Sequence, residues 1–184
     1  MKKWIARLFL GLLGWKVKAR VSPEMHRSVM VAAPHTSNWD FPIALAAFWI
    51  MGLDLKYFIK DDYTRGILGG FFRWTGAIGV NRRNPRNNLT QQAIQLLREQ
   101  DLVLMVPAEG TRKAVEKWRT GFYHIAREAQ VPISLGTLDY RAREADIIDV
   151  FTPTGDFKKD MQYIQECYRP IHPRHPEGYN PQIF

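Results

Sequence analysis

The sequence predicts an α/β layer structure, a central sheet flanked by helices. Two observations carry this reading. Short β-rich apolar runs alternate with longer segments of helical apolar spacing, each opened or closed by a polar residue or a glycine. The length of 184 residues, 46% of them hydrophobic, suits one compact domain with a buried core rather than two. No internal repeat or low-complexity tract interrupts the pattern.

The first element, residues 1–20, is an N-terminal amphipathic helix. It sets Trp4, Ile5, Leu8, Phe9, Leu12, Leu13 and Trp15 at helical spacing, with Lys3, Arg7 and Lys18 opposite. Arg7 interrupts the apolar run, no small-residue cleavage site follows, and the run is too short to cross a bilayer. Two readings fit: a helix lying in a membrane interface, or a terminal helix packing its stripe on the domain. Two tryptophans beside lysines favour lipid, so the expected location is peripheral, on the cytoplasmic side of a membrane.

Residues 21–184 then form a single domain. Strands are expected at Ser28–Ala33, Leu55–Ile59, Ala77–Asn81, Leu102–Val106, Pro132–Tyr140 and Asp146–Phe151, most of them suited to burial on both faces. Helices are expected at Trp39–Met51, Tyr63–Trp74, Asn88–Glu99, Gly121–Ala129 and Asp156–Tyr168. The proline-rich tail from Pro170 to Phe184 is expected to lie extended over the surface.

Lys and Arg number 26 against 18 Asp and Glu, a formal charge of +8, which favours anionic partners: phospholipid head groups, phosphorylated substrates, CoA or nucleic acid. Cys167 is the single cysteine, which excludes an internal disulfide and any Cys-x-x-Cys metal or redox site. His172 and His175 flank Pro173 without a carboxylate cluster, a poor basis for a metal site, and His26 and His124 have no distinguishing partners. Ser37 sits in a turn and Cys167 in a helix without an activating base, so neither reads as a nucleophile.

The chemistry begins where the first long strand ends, at Pro34-His35-Thr36-Ser37-Asn38-Trp39-Asp40-Phe41-Pro42. A histidine takes a proton from a hydroxyl near neutral pH if a carboxylate holds its other ring nitrogen protonated. Residues five apart on an ideal helix point roughly 140° apart, so His35 and Asp40 can pair only across a turn. Pro42 is tolerated in a first helical turn, which starts the helix near Trp39 or Asp40 and leaves His35 to Asn38 as loop. The alternative is a capping box of Ser37 and Asp40 with His35 a surface loop residue. Apolar residues 41–51, with Phe48 and Trp49, fit either core packing or the lining of an apolar tunnel.

Four stretches in order resemble the glycerolipid acyltransferases, the lysophosphatidate acyltransferase-like family. His35 and Asp40 match its His-four residues-Asp motif, Gly76-Ala77-Ile78-Gly79-Val80-Asn81-Arg82 its second, Val106-Pro107-Ala108-Glu109-Gly110-Thr111-Arg112 its third and Val131-Pro132-Ile133 its fourth. Lys60 also looks like a family lysine. Ala108 here separates the proline from the glutamate, and Lys113 stands where the family often has serine. The resemblance, running from about Val29 to Leu138, implies a mixed, mostly parallel central sheet of the glycerol-3-phosphate acyltransferase type. It implies His35 as general base and Asp40 as its orienting partner, with Lys60, Arg82, Glu109, Gly110, Thr111 and Arg112 binding substrate. An arginine fork meets phosphate bidentately and a glycine lets backbone approach an oxyanion, which gives Arg82, Arg112 and Gly110 a physical role.

The resemblance further implies acyl transfer to the hydroxyl of a lysophospholipid or glycerol phosphate, with acyl-CoA or acyl carrier protein as co-substrate. No other cofactor, no metal and no nucleic-acid partner is expected; the partners are lipid acceptor, thioester donor and an anionic phospholipid surface. A non-catalytic basic binding module and a thioester hydrolase are the alternatives.

Overall fold

A computed structural model describes residues 1–81 and 88–184. Among these, β1 (Lys16–Val17), β2 (Ser28–Ala32), β3 (Leu55–Lys60), β4 (Ala77–Val80), β5 (Val103–Val106), β6 (Ile133–Asp139) and β7 (Glu144–Phe151) form one sheet ordered β1-β7-β6-β2-β5-β3-β4. All neighbours pair parallel except β6 and β7, which are antiparallel. The expected mixed, mostly parallel sheet flanked by helices is therefore present. The two-residue edge strand β1 escapes sequence reading because it is too short to show a period.

Strand alternation divides the core. Val29 and Val31 of β2 face α5 (Leu89–Glu99), α6 (Gly121–Ala129) and α7 (Phe157–Tyr168), in a cluster with Leu104, Ile133 and Leu135. Met30, between them, turns to the opposite face, where it meets Leu45 and Phe48 of α2 (Asp40–Met51). Central β2 is thus apolar on both sides, as a covered parallel strand must be.

Helix α1 (Lys2–Leu12) lies against α2, with Ala6 and Leu10 buried beside Ile43, Ala46 and Ala47. Of the apolar stripe read from sequence, Phe9, Leu13 and Trp15 pack into the same cluster, whereas Trp4, Ile5, Leu8 and Leu12 are exposed. The reading of a terminal helix packed on the domain therefore holds for one face, and the other is open to solvent. No helix among the described residues is long and apolar enough to cross a membrane.

Three expectations need correction. The helix expected over residues 1–20 ends at Leu12, after which the chain adds β1 to the sheet. The helix expected over 63–74 is broken into α3 (Asp61–Arg65) and α4 (Gly69–Trp74). The chain turns back at Gly66, and a Cβ on Gly69 would lie 2.2 Å from the Thr64 carbonyl oxygen, a contact only glycine permits. The C-terminal tail runs over the surface as expected but is not extended throughout: it takes a 3-10 turn at Pro176–Gly178 and is anchored at its end. Ile183 is fully buried, Trp118 N–H donates to its carbonyl at 2.9 Å, and its own N–H donates to Gln165 Oε1 at 3.0 Å.

Candidate active site

Strand β2 lies between β5 and β6, and all three run parallel, so the loops leaving their C-terminal ends converge. The loop after β2 carries His35 and enters α2 at Asp40, placing Pro42 in the first turn. The turn between His35 and Asp40 lets the imidazole fold back on the carboxylate, with Nδ1 2.9 Å from Asp40 Oδ2.

The same Oδ2 accepts the backbone N–H groups of Thr36 and Ser37, each at 2.9 Å. Oδ1 accepts the hydroxyl of Tyr140 at 2.5 Å. Ser37 Oγ accepts from the Trp39 N–H at 3.2 Å, which uses that hydroxyl in the turn. Only half of the alternative capping box forms, the Ser37 N–H to Asp40 bond, and no side chain caps α2; Asp40 instead closes the turn and holds the imidazole as well. Burial alone would push the Asp40 carboxyl up. Hydrogen bonds from His35, Tyr140 and Ser37, with the attraction of His35, more than offset it and hold the carboxyl below its ordinary range. An ionised Asp40 is an acceptor only, so Nδ1 carries a proton and, in the neutral ring, Nε2 is left bare. Nε2 has no hydrogen-bond partner among the described residues.

The loop after β5 supplies a second buried carboxylate. Glu109 is 4% exposed, and its Oε2 accepts the backbone N–H of His35 at 2.6 Å. Ala108, the residue that sets this stretch apart from the family motif, is fully buried, and its carbonyl accepts from the Arg119 N–H at 2.8 Å. The loop is thereby turned so that Glu109 points at the His35 backbone. Gly110 follows at φ +66°, where a Cβ would also meet the Arg119 side chain at 2.9 Å. Desolvation raises the Glu109 carboxyl to about 7, only partly opposed by the His35 N–H and charge.

The other substrate-binding candidates are more open. Thr111 and Arg112 are exposed, and Thr111 Oγ1 accepts the Lys113 N–H at 3.3 Å. Lys60 ends β3 with its Nζ 3.3 Å from Asp62 Oδ2. Arg82 lies outside the described residues. Among those described no group of His, Cys, Asp and Glu could hold a metal; His172 and His175 pair separately, with Asp139 and Glu177.

Between α2 and the sheet lies a cavity of about 190 Å³ lined by His35 and Asp40 together with Met30, Phe41, Ala44, Phe48, Met51 and Leu138. Apart from His35 and Asp40 its wall is mostly apolar, so it suits an aliphatic chain. The helix face that sequence leaves open between core and tunnel thus contributes Phe48 to the cavity. Trp49 instead packs edge-on against Trp74 at 4.8 Å.

Sequence reading missed Tyr140 and the tail. Tyr140 sits just past β6, and its position at the C-terminal end of an expected strand is the one signal that could have drawn attention to it. The tail crosses the His35 loop: the His175 N–H donates to Thr36 Oγ1 at 3.2 Å, and the Tyr140 N–H donates to the His172 carbonyl at 2.9 Å.

The raised Glu109 carboxyl gives a stability prediction. Because the folded-state value, about 7, lies above the ordinary 4.5, the group's contribution is complete below pH 4.5 and is lost as pH rises through 7. Glu109→Gln keeps an acceptor for the His35 N–H and removes the titration. Its stability relative to wild type is expected to climb between pH 4.5 and 8, by on the order of 1–3 kcal/mol, in urea unfolding followed by circular dichroism. A difference that stays flat with pH would contradict a desolvated carboxyl there.

The acyltransferase family's sequence pattern matches residues 16–134. Among curated proteins no sequence matches significantly. Among solved structures the fold is similar to the crystal structure of the 1-acyl-sn-glycerophosphate (LPA) acyltransferase PlsC from Thermotoga maritima. The TM-score is 0.63 and the identity 17%, over 92% of this chain and 77% of that one. With the family pattern spanning most of the sheet and its His-four residues-Asp motif folded into a hydrogen-bonded pair, the chain belongs to the acyltransferase family.

Proposed function

We propose that the protein moves a fatty acyl group from a thioester, acyl-CoA or acyl carrier protein, to the hydroxyl of a lysophospholipid or glycerol phosphate. The observation that carries the proposal is the His35–Asp40 pair set against the apolar cavity. The name of the similar Thermotoga maritima structure points to the same class of acceptor.

In the proposed reaction His35 Nε2 takes the acceptor's hydroxyl proton as that oxygen attacks the thioester carbonyl. Asp40 stabilises the imidazolium that forms. Collapse of the tetrahedral intermediate breaks the C–S bond, and the imidazolium proton passes to the departing thiolate, giving an ester and a thiol without an acyl-enzyme. Tyr140 acts through Asp40 as a positioning residue, fixing the carboxylate plane so that Oδ2 faces Nδ1.

The test is transfer of labelled acyl groups from acyl-CoA and acyl carrier protein to lysophospholipids and glycerol phosphates. His35→Ala is expected to lower transfer by about 10²- to 10⁴-fold. Tyr140→Phe is expected to lower kcat by roughly tenfold with little change in KM, as loss of a hydrogen bond to a charged group would do. Free fatty acid as the only labelled product would make the protein a hydrolase, and undiminished transfer by His35→Ala would remove the mechanism.

Peripheral attachment to an anionic membrane belongs to the same proposal. The exposed face of α1 presents Trp4, Ile5, Leu8 and Leu12, and α4 with its approach presents Ile67, Leu68, Phe71 and Trp74. The Lys2 ammonium joins the two elements, donating to the Trp74 carbonyl at 2.7 Å and lying 4.7 Å from that ring's centroid. Such a row of tryptophans and aliphatic side chains beside basic residues suits a headgroup boundary. Wild-type protein is expected to pellet with phosphatidylglycerol vesicles, less so as salt rises, and Trp4→Ser with Leu8→Ser to reduce the bound fraction several-fold. Equal pelleting by both proteins would assign that face no lipid contact.

A further inference from the structure

We propose that the C-terminal tail completes the substrate site by supplying Arg174 as a ligand for a substrate phosphate. The inference rests on the acyl-transfer reading and extends it to a residue beyond the family match at 16–134.

The tail follows a fixed path over the site. His172 starts it at the end of β6, with its N–H and Nδ1 3.4 and 3.2 Å from Asp139 Oδ2 and its carbonyl accepting from the Tyr140 N–H at 2.9 Å. His175 crosses the His35 loop through the 3.2 Å bond to Thr36 Oγ1. Gly178 comes so close to the loop after β5 that a Cβ would lie 3.0 Å from the Arg112 carbonyl oxygen. Asn180 then donates from Nδ2 to the carbonyls of Val115 and Glu116 at 3.0 and 3.3 Å, and Ile183 is buried beyond it. The segment therefore ties together the three loops around His35 and holds residue 174 at their junction.

Arg174 stands over two aromatic rings, its guanidinium carbon 5.9 Å from the centroids of both Trp39 and Tyr140. These rings flank the catalytic carboxylate: Trp39 precedes Asp40 in sequence, and the Tyr140 hydroxyl bonds Asp40 Oδ1. The exposed guanidinium makes no ion pair with a carboxylate among the described residues, although the nearby histidines 172 and 175 each have one. The guanidinium also bonds the Tyr140 hydroxyl, so the two rings and that phenol place the cation while its remaining donors suit a phosphate oxygen pair. It stands one side chain from the dyad. A phosphate bound there would lie within a short lipid head's reach of the hydroxyl that His35 deprotonates. That phosphate belongs either to the acceptor head or to the carrier of the acyl donor.

The test compares wild type, Arg174→Ala and Arg174→Lys, with thermal melts confirming that each is folded. Kinetic arms use lysophosphatidate, the corresponding monoacylglycerol without phosphate, and acyl-CoA as varied substrates. Arg174→Ala is expected to raise KM for one phosphate-bearing substrate about tenfold, with Arg174→Lys recovering part of the loss. If the acceptor is that substrate, kcat/KM falls roughly tenfold more for lysophosphatidate than for monoacylglycerol; if the donor is, KM rises for acyl-CoA instead. Calorimetric titration with sn-glycerol 3-phosphate and with coenzyme A reads the same contact without turnover, so it stands even if the protein transfers no acyl group. Weakening of either titration by Arg174→Ala supports the assignment. Unchanged binding of both, or an equal loss on phosphate-bearing and phosphate-free acceptors, would overturn it.

Discussion

One carboxylate organises the site. Asp40 is withdrawn from water at the start of α2, and an ion in that position is costly unless its lone pairs are taken up. Two backbone N–H groups, one imidazole N–H and one phenol take them up, and each donor belongs to a part of the site that must be placed. The N–H groups of Thr36 and Ser37 fix the turn, the imidazole fixes its own tautomer, and Tyr140 ties the turn to the next strand. The stability of the buried charge and the orientation of the imidazole are therefore the same set of bonds. Mutating any donor disturbs both.

The sheet order makes this possible. With β2 in the middle and β5 and β6 on either side, a histidine just past β2 is reached from one flank by Glu109 and from the other by Tyr140. Glu109 holds the backbone of His35 while Asp40 holds its ring, so the residue is gripped at both ends. The face of β2 that carries Met30 leaves the apolar cavity beneath α2, which brings an apolar space and the imidazole to the same place. The tail closes the arrangement from above through Thr36 and Tyr140.

Much of this was legible in the chain. The long strands declare themselves as apolar runs, and Pro42 alone locates the start of α2, which in turn requires a loop at His35 and permits its pairing with Asp40. The parts that were not legible depend on contacts distant in sequence. Tyr140 lies 100 positions from the carboxylate it serves, and nothing local distinguishes it from other strand tyrosines. The break between α3 and α4 depends on how closely Gly69 approaches Thr64, which a helical period cannot reveal. The inward turn of Glu109 depends on Ala108 being buried, so a one-residue departure from the family motif becomes interpretable only once the loop is seen against β5. Proline content reads the tail as surface, which its mostly exposed residues are; its anchoring depends on Ile183 finding a buried place near Trp118 and Gln165.

The most direct measurement is the tautomer of the neutral His35 ring, read from the ¹⁵N shifts of histidine-labelled protein and assigned by the signal lost in His35→Gln. The expected result is a proton held on Nδ1 in a strong hydrogen bond, with Nε2 bare and ready to accept. A ring protonated at Nε2, or one exchanging rapidly between tautomers, would contradict the claim that Asp40 prepares His35 as the base.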